Sequence, residues 1–185
     1  MPSLLLDLSH AGFAAVLDDA GQRVLAQEAR PAGSRHDGVA DWCERLLGSA
    51  GATFADLTWI AAGVGPGSFT GIRIGLAFAQ GLAFPRSLPV HGFTSFEALF
   101  LSHARDSHGA DAAGVAAIVP ATAGRYYVSE HLADPGALRT AAEAAARMTP
   151  NTLLLAHAAT PALLDLAAQA GGLRIRHPLP VAVAL

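Results

Sequence analysis

Residues 63–75 read GVGPGSFTGIRIG, a run with glycine at 63, 65, 67, 71 and 75 that follows an apolar stretch, WIAAGV (59–64). Three phosphate-binding readings of such a run can be checked by spacing. A Walker A loop needs Gly-x4-Gly-Lys-Ser/Thr, and no lysine follows any of these glycines. A dinucleotide fingerprint needs Gly-x-Gly-x-x-Gly, but after Gly65 and Gly67 the next glycine, Gly71, comes one place late. A generic anion site at a helix N-terminus survives the check, without a lysine or partner acid to strengthen it. The periodicity says more. Gly67, Gly71, Gly75, Ala79 and Ala83 recur every four residues and share one slowly rotating face of a helix. A mid-helix glycine costs roughly 1 kcal/mol relative to alanine, so the stripe implies close approach of another backbone. That backbone belongs either to the same fold or to another chain. Arg73 lies about 200° round the helix from Gly71 and faces away from the stripe.

Working outward, LLLDLS (4–9), GFAAVL (12–17) and RVLAQEA (23–29) read as an antiparallel meander, with the turn DDAG (18–21) before the third strand. Ser34 and Asp37 resemble a capping box. Beyond them Val39, Trp42, Cys43, Leu46 and Leu47 fall at helical spacing, which predicts a helix over 36–49. WIAAGV is a buried strand, the helix after it runs to about Phe84 and stops at Pro85, and Ser68 reads as its N-cap. LPVHG (88–92) is a strand, and Thr94 with Glu97 starts a helix reaching about Ala104. The order βββαβαβα is that of one half of an actin, sugar-kinase or Hsp70 domain, the ribonuclease H-like α/β fold with mixed sheets flanked by helices. We therefore expect an N-terminal half-domain over 1–103 and a linker over 104–113. A shorter, degenerate second half then fills 114–185, with strands near 115–119, 125–132, 152–156 and 173–177 and helices near 136–148 and 161–170.

The 185 residues are 52% hydrophobic and 15% charged, enough for a sizeable core. The formal charge is −3, and no cluster of basic residues appears, which argues against a nucleic-acid-binding surface. The single cysteine, Cys43, lies among the apolar positions of the first helix and excludes an internal disulfide, in keeping with a reducing, cytoplasmic setting. MPSLLLDLSH lacks the basic start of a signal peptide, and no apolar run is long enough for a membrane span.

The stretch GPGSFTGIRIGLAFAQGLA (65–83), followed by VHGFTSFEAL (90–99), resembles the signature of the TsaB (YeaZ) family. LLLDLS resembles that family's opening strand with its acid, here Asp7. RHDGVADWCERLL (35–47) resembles its first helix, which opens on a histidine, here His36. The likeness covers residues 1 to about 100. It implies a sugar-kinase-type fold without independent catalysis, serving as accessory subunit of the bacterial machinery that makes threonylcarbamoyladenosine in tRNA. It further implies a TsaD-type catalytic partner and a TsaE-type ATPase, with tRNA met only through the complex and homodimerisation open to the chain when alone. In that family the first two helices form the heterodimer face, which would place Gly67, Gly71, Gly75, Ala79 and His36 at the contact. The second half departs from the pattern. Where the family shows Ile-Asp-Ala-Arg and then Glu-Val-Tyr, this chain has IVPATAGRYYV (118–128), with Val119 and Pro120 in place of Asp-Ala and Tyr127 as the matching tyrosine. Members also continue into a Tyr-Leu-Arg tail, where this sequence ends PLPVAVAL.

Outside the motif, one carboxylate at a strand end is not a catalytic site, and Asp7 reads as structural or as the vestige of one. His103 and His108 are five apart, whereas paired metal ligands on a helix stand three or four apart, so we expect no metal and no cofactor. Ser68 lacks the Gly-x-Ser-x-Gly elbow. The reading is a non-enzymatic activating subunit. Its rivals are a self-associating scaffold of the same fold unconnected with tRNA, and a stand-alone phosphotransferase of the superfamily.

Overall fold

The computed structural model describes residues 1–30, 37–107, 114–149, 152–157, 161–169 and 174–176. They fall into two compact units, the first comprising Met1–Thr94 and the second opening at Ser95.

The first unit is a five-stranded sheet in the order β3-β2-β1-β4-β5. Its strands are β1 (Ser3–Asp7), β2 (Phe13–Leu17), β3 (Val24–Ala29), β4 (Ile60–Gly65) and β5 (Val90–Thr94). β1 pairs antiparallel with β2 and parallel with β4, and so sits at the centre. That position explains its unbroken run Leu4–Leu5–Leu6, because a central strand buried on both faces has no polar face to alternate with. β3, at the edge, is mostly exposed and polar from Gln27. Two helices, α1 (Val39–Ser49) and α2 (Phe69–Ala83), form one core with Leu4, Leu6, Leu8, Val16 and Ile60, into which α1 sends Val39, Trp42, Cys43, Leu46 and Leu47. The start of α1 differs from the expected capping box. Its N-cap is Gly38, in the left-handed region at φ 64° with no side-chain cap, and Ser34 lies outside the described residues. At its other end α2 stops at Ala83, and Pro85 sits in a single 3-10 turn, Phe84–Arg86. The turn is fastened by Arg86, which donates to the carbonyls of Phe54 at 2.8 Å and Leu57 at 2.9 Å.

The second unit begins with α3 (Ser95–Ser107), followed by β6 (Val115–Pro120), β7 (Arg125–Ser129), β8 (Ala137–Thr140), α4 (Ala141–Ala146), β9 (Leu153–Leu155), α5 (Pro161–Gln169) and β10 (Arg174–Arg176). Its sheet order, β10-β9-β6-β7-β8, is that of the first sheet read from the other edge. The pairings match as well: β6 runs antiparallel to β7 and parallel to β9, as β1 does to β2 and β4. The fold is therefore the expected duplicated α/β architecture of the actin, sugar-kinase and Hsp70 class.

Two expectations shift. Residues 136–148 are not one helix. β8 pairs with β7, Leu138 opposite Tyr127, and α4 starts only where Thr140 and Glu143 make a reciprocal capping box. The open edge of β7 claims residues 137–140 for the sheet. With β8 in place the described residues of the second unit form five strands, as those of the first do. The other shift is at the division between the units. α3 carries Phe96 and Leu99 into a core with Ala117, Val119, Leu153 and Leu155, so it packs in the second unit, and residues 104–107 of the expected linker are helical.

Candidate functional site

β1 ends at Asp7, which is 4% exposed. Its Oδ1 accepts the N–H of Ser9 at 2.8 Å, an Asx-type turn that bends the chain at the strand end. The bend delivers the Ser9 carbonyl to the entrance of α2, where it accepts the N–H of Ser68 at 2.6 Å. Two glycines of the motif make this approach sterically feasible. A Cβ on Gly63 would stand 2.5 Å from Asp7 Oδ1, and one on Gly67 would stand 2.4 Å from the Ser9 carbonyl oxygen. Ser68 is the N-cap, as its sequence position suggested, and its Oγ accepts the N–H of Gly71 at 3.2 Å. Two donors that a bound anion would want at this helix start are thus already engaged. Beside the turn, burial holds the imidazole of His10 below its ordinary pKa, opposed by the Asp7 carboxylate.

The small-residue stripe faces inward. Gly71, Gly75, Ala79 and Ala83 are all buried, Ala79 completely. Gly75 lies over Leu8, with an added Cβ at 3.7 Å from the leucine Cβ and Cγ, and Gly67 lies against Ser9. Gly71, Gly75 and Ala79, expected at a contact with another chain, are buried within this unit, where Gly67 approaches the Ser9 carbonyl and Gly75 the Leu8 side chain. His36, the other expected contact residue, lies outside the described residues, as does His108. His103 is buried on α3, and Cys43 is fully buried with its thiol pushed up to about 12 by burial. Among the described residues no three potential metal ligands come together, and no helix is long and apolar enough to cross a membrane.

The opposite side of α2 is where the sequence reading missed the surface. Phe69 is 72% exposed and Phe84, one residue past the helix, 87% exposed. Between them Arg73 is exposed, its guanidinium 5.3 Å from the Phe69 ring centroid. A groove of about 330 Å³ is lined by Thr70, Arg73, Ile74 and Ala77. Another, of about 390 Å³, runs past Gln80, Ala83, Phe84, Ser87, Leu88 and Val90. In the sequence Phe69, Arg73, Gln80 and Phe84 share the side of the helix away from the glycines, which gives their common side but not its exposure.

A duplicated mixed sheet with this motif on α2 defines a member of the actin and sugar-kinase class, and comparison with known proteins narrows it. A family model described as TsaD, tRNA N6-adenosine threonylcarbamoyltransferase, matches residues 33–184. The Escherichia coli "tRNA threonylcarbamoyladenosine biosynthesis protein TsaB" is 33% identical over 105 residues, 57% of this chain and 44% of that protein. The Haemophilus influenzae protein of the same name is 41% identical over 56 residues, 30% of this chain and 24% of that one. Among solved structures, YeaZ from Pseudomonas aeruginosa superposes with TM-score 0.58 at 28% identity, covering 76% of this chain and 68% of its own. A further Pseudomonas aeruginosa structure, described as similar to peptidase YeaZ, reaches TM-score 0.67 over 95% of this chain and 98% of its own at 23% identity, a likeness of fold. The chain belongs to the TsaD family and groups there with the TsaB (YeaZ) proteins. The matched stretches span less than half the length of these curated relatives.

Proposed function

We propose that this chain is a TsaB-type accessory subunit in the formation of threonylcarbamoyladenosine in tRNA. It works in the cytoplasm, contributes no active site of its own, and acts by docking a TsaD-type catalytic subunit. A TsaE-type ATPase joins that complex, and tRNA is met only there. The observation that carries the reading is the outward side of α2, where Phe69 and Phe84 stand 72% and 87% exposed at the two ends of the family motif. Exposed aromatic side chains flanking grooves, with an arginine between them, have the composition of an interface hot spot. Support also comes from the inner side of the same helix, whose glycines hold it tightly on β1 and so present the outer side on a rigid base.

Co-expression with a TsaD homologue from the same source tests this. The pair should co-purify and form threonylcarbamoyladenosine with a TsaE homologue, and Phe84→Ser in this chain should weaken pairing while its own melting temperature is kept. A wild-type chain that never pairs, or a Phe84→Ser chain that pairs and supports the modification as well as wild type, would overturn the assignment of this face.

A further inference from the structure

Arg73 is the single formally charged residue of α2, whose sequence is FTGIRIGLAFAQGLA. Among the described residues no carboxylate pairs with it; its recorded contact is the Phe69 ring. While the face is open to water this costs nothing, because the guanidinium is solvated. If a partner covers the face, the same guanidinium loses that solvation, and a buried unpaired charge is among the most expensive features an interface can have. A covered Arg73 therefore requires an acid from the other side. Arginine suits this role because its planar fork can take both oxygens of one carboxylate. The groove lined by Thr70, Arg73, Ile74 and Ala77, about 330 Å³, lies on the helix beside the guanidinium and has room for such a side chain.

Resting on the docking reading above, we infer that Arg73 is the charge-pairing point of this face, taking an Asp or Glu carboxylate of the partner in the groove beside Thr70 and Ile74. The partner surface is accordingly apolar around one acidic residue. A second copy fits this requirement poorly. Its α2 carries no carboxylate, so two such helices packed face to face would bring together two guanidinium groups with no acid between them. The exposed acids Asp41 and Glu44 stand on α1, and a copy could supply them only by packing its α1 against the other's α2.

The test uses the full chain with a purified TsaD homologue, measuring association at low and high salt and the melting temperature of each variant. Arg73→Gln should weaken binding roughly thirtyfold or more, chiefly through faster dissociation because the partner's carboxylate is left covered and unpaired, with an unchanged melt. Arg73→Glu should weaken it further, and one acid-to-arginine reversal among the partner's surface residues should restore binding to Arg73→Glu while weakening binding to wild type. Binding by Arg73→Glu at wild-type strength would overturn the charge pairing while leaving the docking reading standing, as would a loss that no single reversal restores. A wild-type chain that fails to bind at all would remove the docking reading, and the pairing with it. Self-association of wild type in preference to the partner, lost in Arg73→Glu, would give the face to a second copy and overturn the proposal.

Discussion

Gly67 and Gly75 belong to one stripe, yet the same substitution should move stability in opposite directions at the two. At Gly67 an alanine Cβ would lie 2.4 Å from the Ser9 carbonyl oxygen and 2.7 Å from the Ser9 Cβ. The obstruction is largely backbone, fixed by the Asp7 turn, so it cannot rotate aside. Relief requires the entrance of α2 to lift and the bond from Ser68 N–H to Ser9 to stretch or break. Overpacking of this kind costs about 1–3 kcal/mol. The lost hydrogen bond adds about 1 kcal/mol, and Gly67 lies before the helix, where alanine gains nothing from propensity. Gly67→Ala should thus lose about 2–4 kcal/mol. At Gly75 the added Cβ meets Leu8 at 3.7–3.8 Å, ordinary van der Waals contact, and mid-helix alanine is favoured over glycine by about 1 kcal/mol. Gly75→Ala should raise stability by about 0.5–1 kcal/mol. Gly75→Leu, which an exposed stripe would tolerate, should instead overpack against Leu8 and lose about 1–3 kcal/mol. Urea unfolding followed by tryptophan fluorescence reads the correct unit, since both tryptophans, Trp42 and Trp59, lie in it. A Gly67→Ala chain as stable as wild type would refute the packing of α2 on the β1 exit. So would a Gly75→Ala chain that loses as much as Gly67→Ala.

Ala123 holds φ 57° in the β6–β7 hairpin directly before Gly124 at φ 66°, a turn that favours asparagine at the first position, so Ala123→Asn should stabilise the second unit by about 0.5–1 kcal/mol in a thermal melt. Cys43 should stay unmodified by thiol reagents in the folded chain and react only as fast as the first unit opens, because it is fully buried and its thiol pKa is pushed up to about 12; rapid labelling under native conditions would contradict this. His10, lowered by burial, is neutral in the folded chain where the unfolded chain titrates near 6.5, so as pH falls through that value the unfolded state alone takes up the proton and stability drops, levelling off below the folded pKa. The drop should be absent in His10→Gln when denaturation midpoints are compared between neutral pH and about pH 5.

Much of the first unit was legible because its signals are local. An unbroken Leu4–Leu6 run marks a central strand, and the spacing of Val39, Trp42, Cys43, Leu46 and Leu47 marks a helix with one buried side. β8 was not legible, since ALRT has no strong preference of its own and becomes a strand only because β7 offers an edge to pair with. The allegiance of α3 was hidden for a similar reason: Phe96 and Leu99 announce an apolar side without naming the sheet it covers. The stripe is the sharper lesson. Glycines every four residues prove that something approaches the helix closely, and no property of the helix sequence says whether Ser9 or another chain does so. Exposure is likewise a property of the assembled unit, which is why Phe69 and Phe84, plain apolar residues in the sequence, became visible as surface only in the structure.

In open α/β sheets ligands bind at the carboxyl ends of the strands, beside helix N-termini whose free N–H groups attract anions. Here that edge is occupied by the chain itself. Asp7 spends a carboxylate oxygen on the Ser9 N–H, Ser9 spends its carbonyl on Ser68, and Ser68 caps Gly71. Each contact strengthens the seating of α2. Together these contacts make the entrance of the helix rigid. Exposed aromatic area and an arginine to which no described carboxylate is paired lie on the far side of that helix at Phe69, Arg73 and Phe84. Rigidity inside and unsatisfied surface outside are the two requirements of a preorganised docking element, since a face that is already ordered loses little entropy when it binds. On the docking reading proposed above, the inward glycines thus serve the outward face, because they hold α2 in place before any partner arrives.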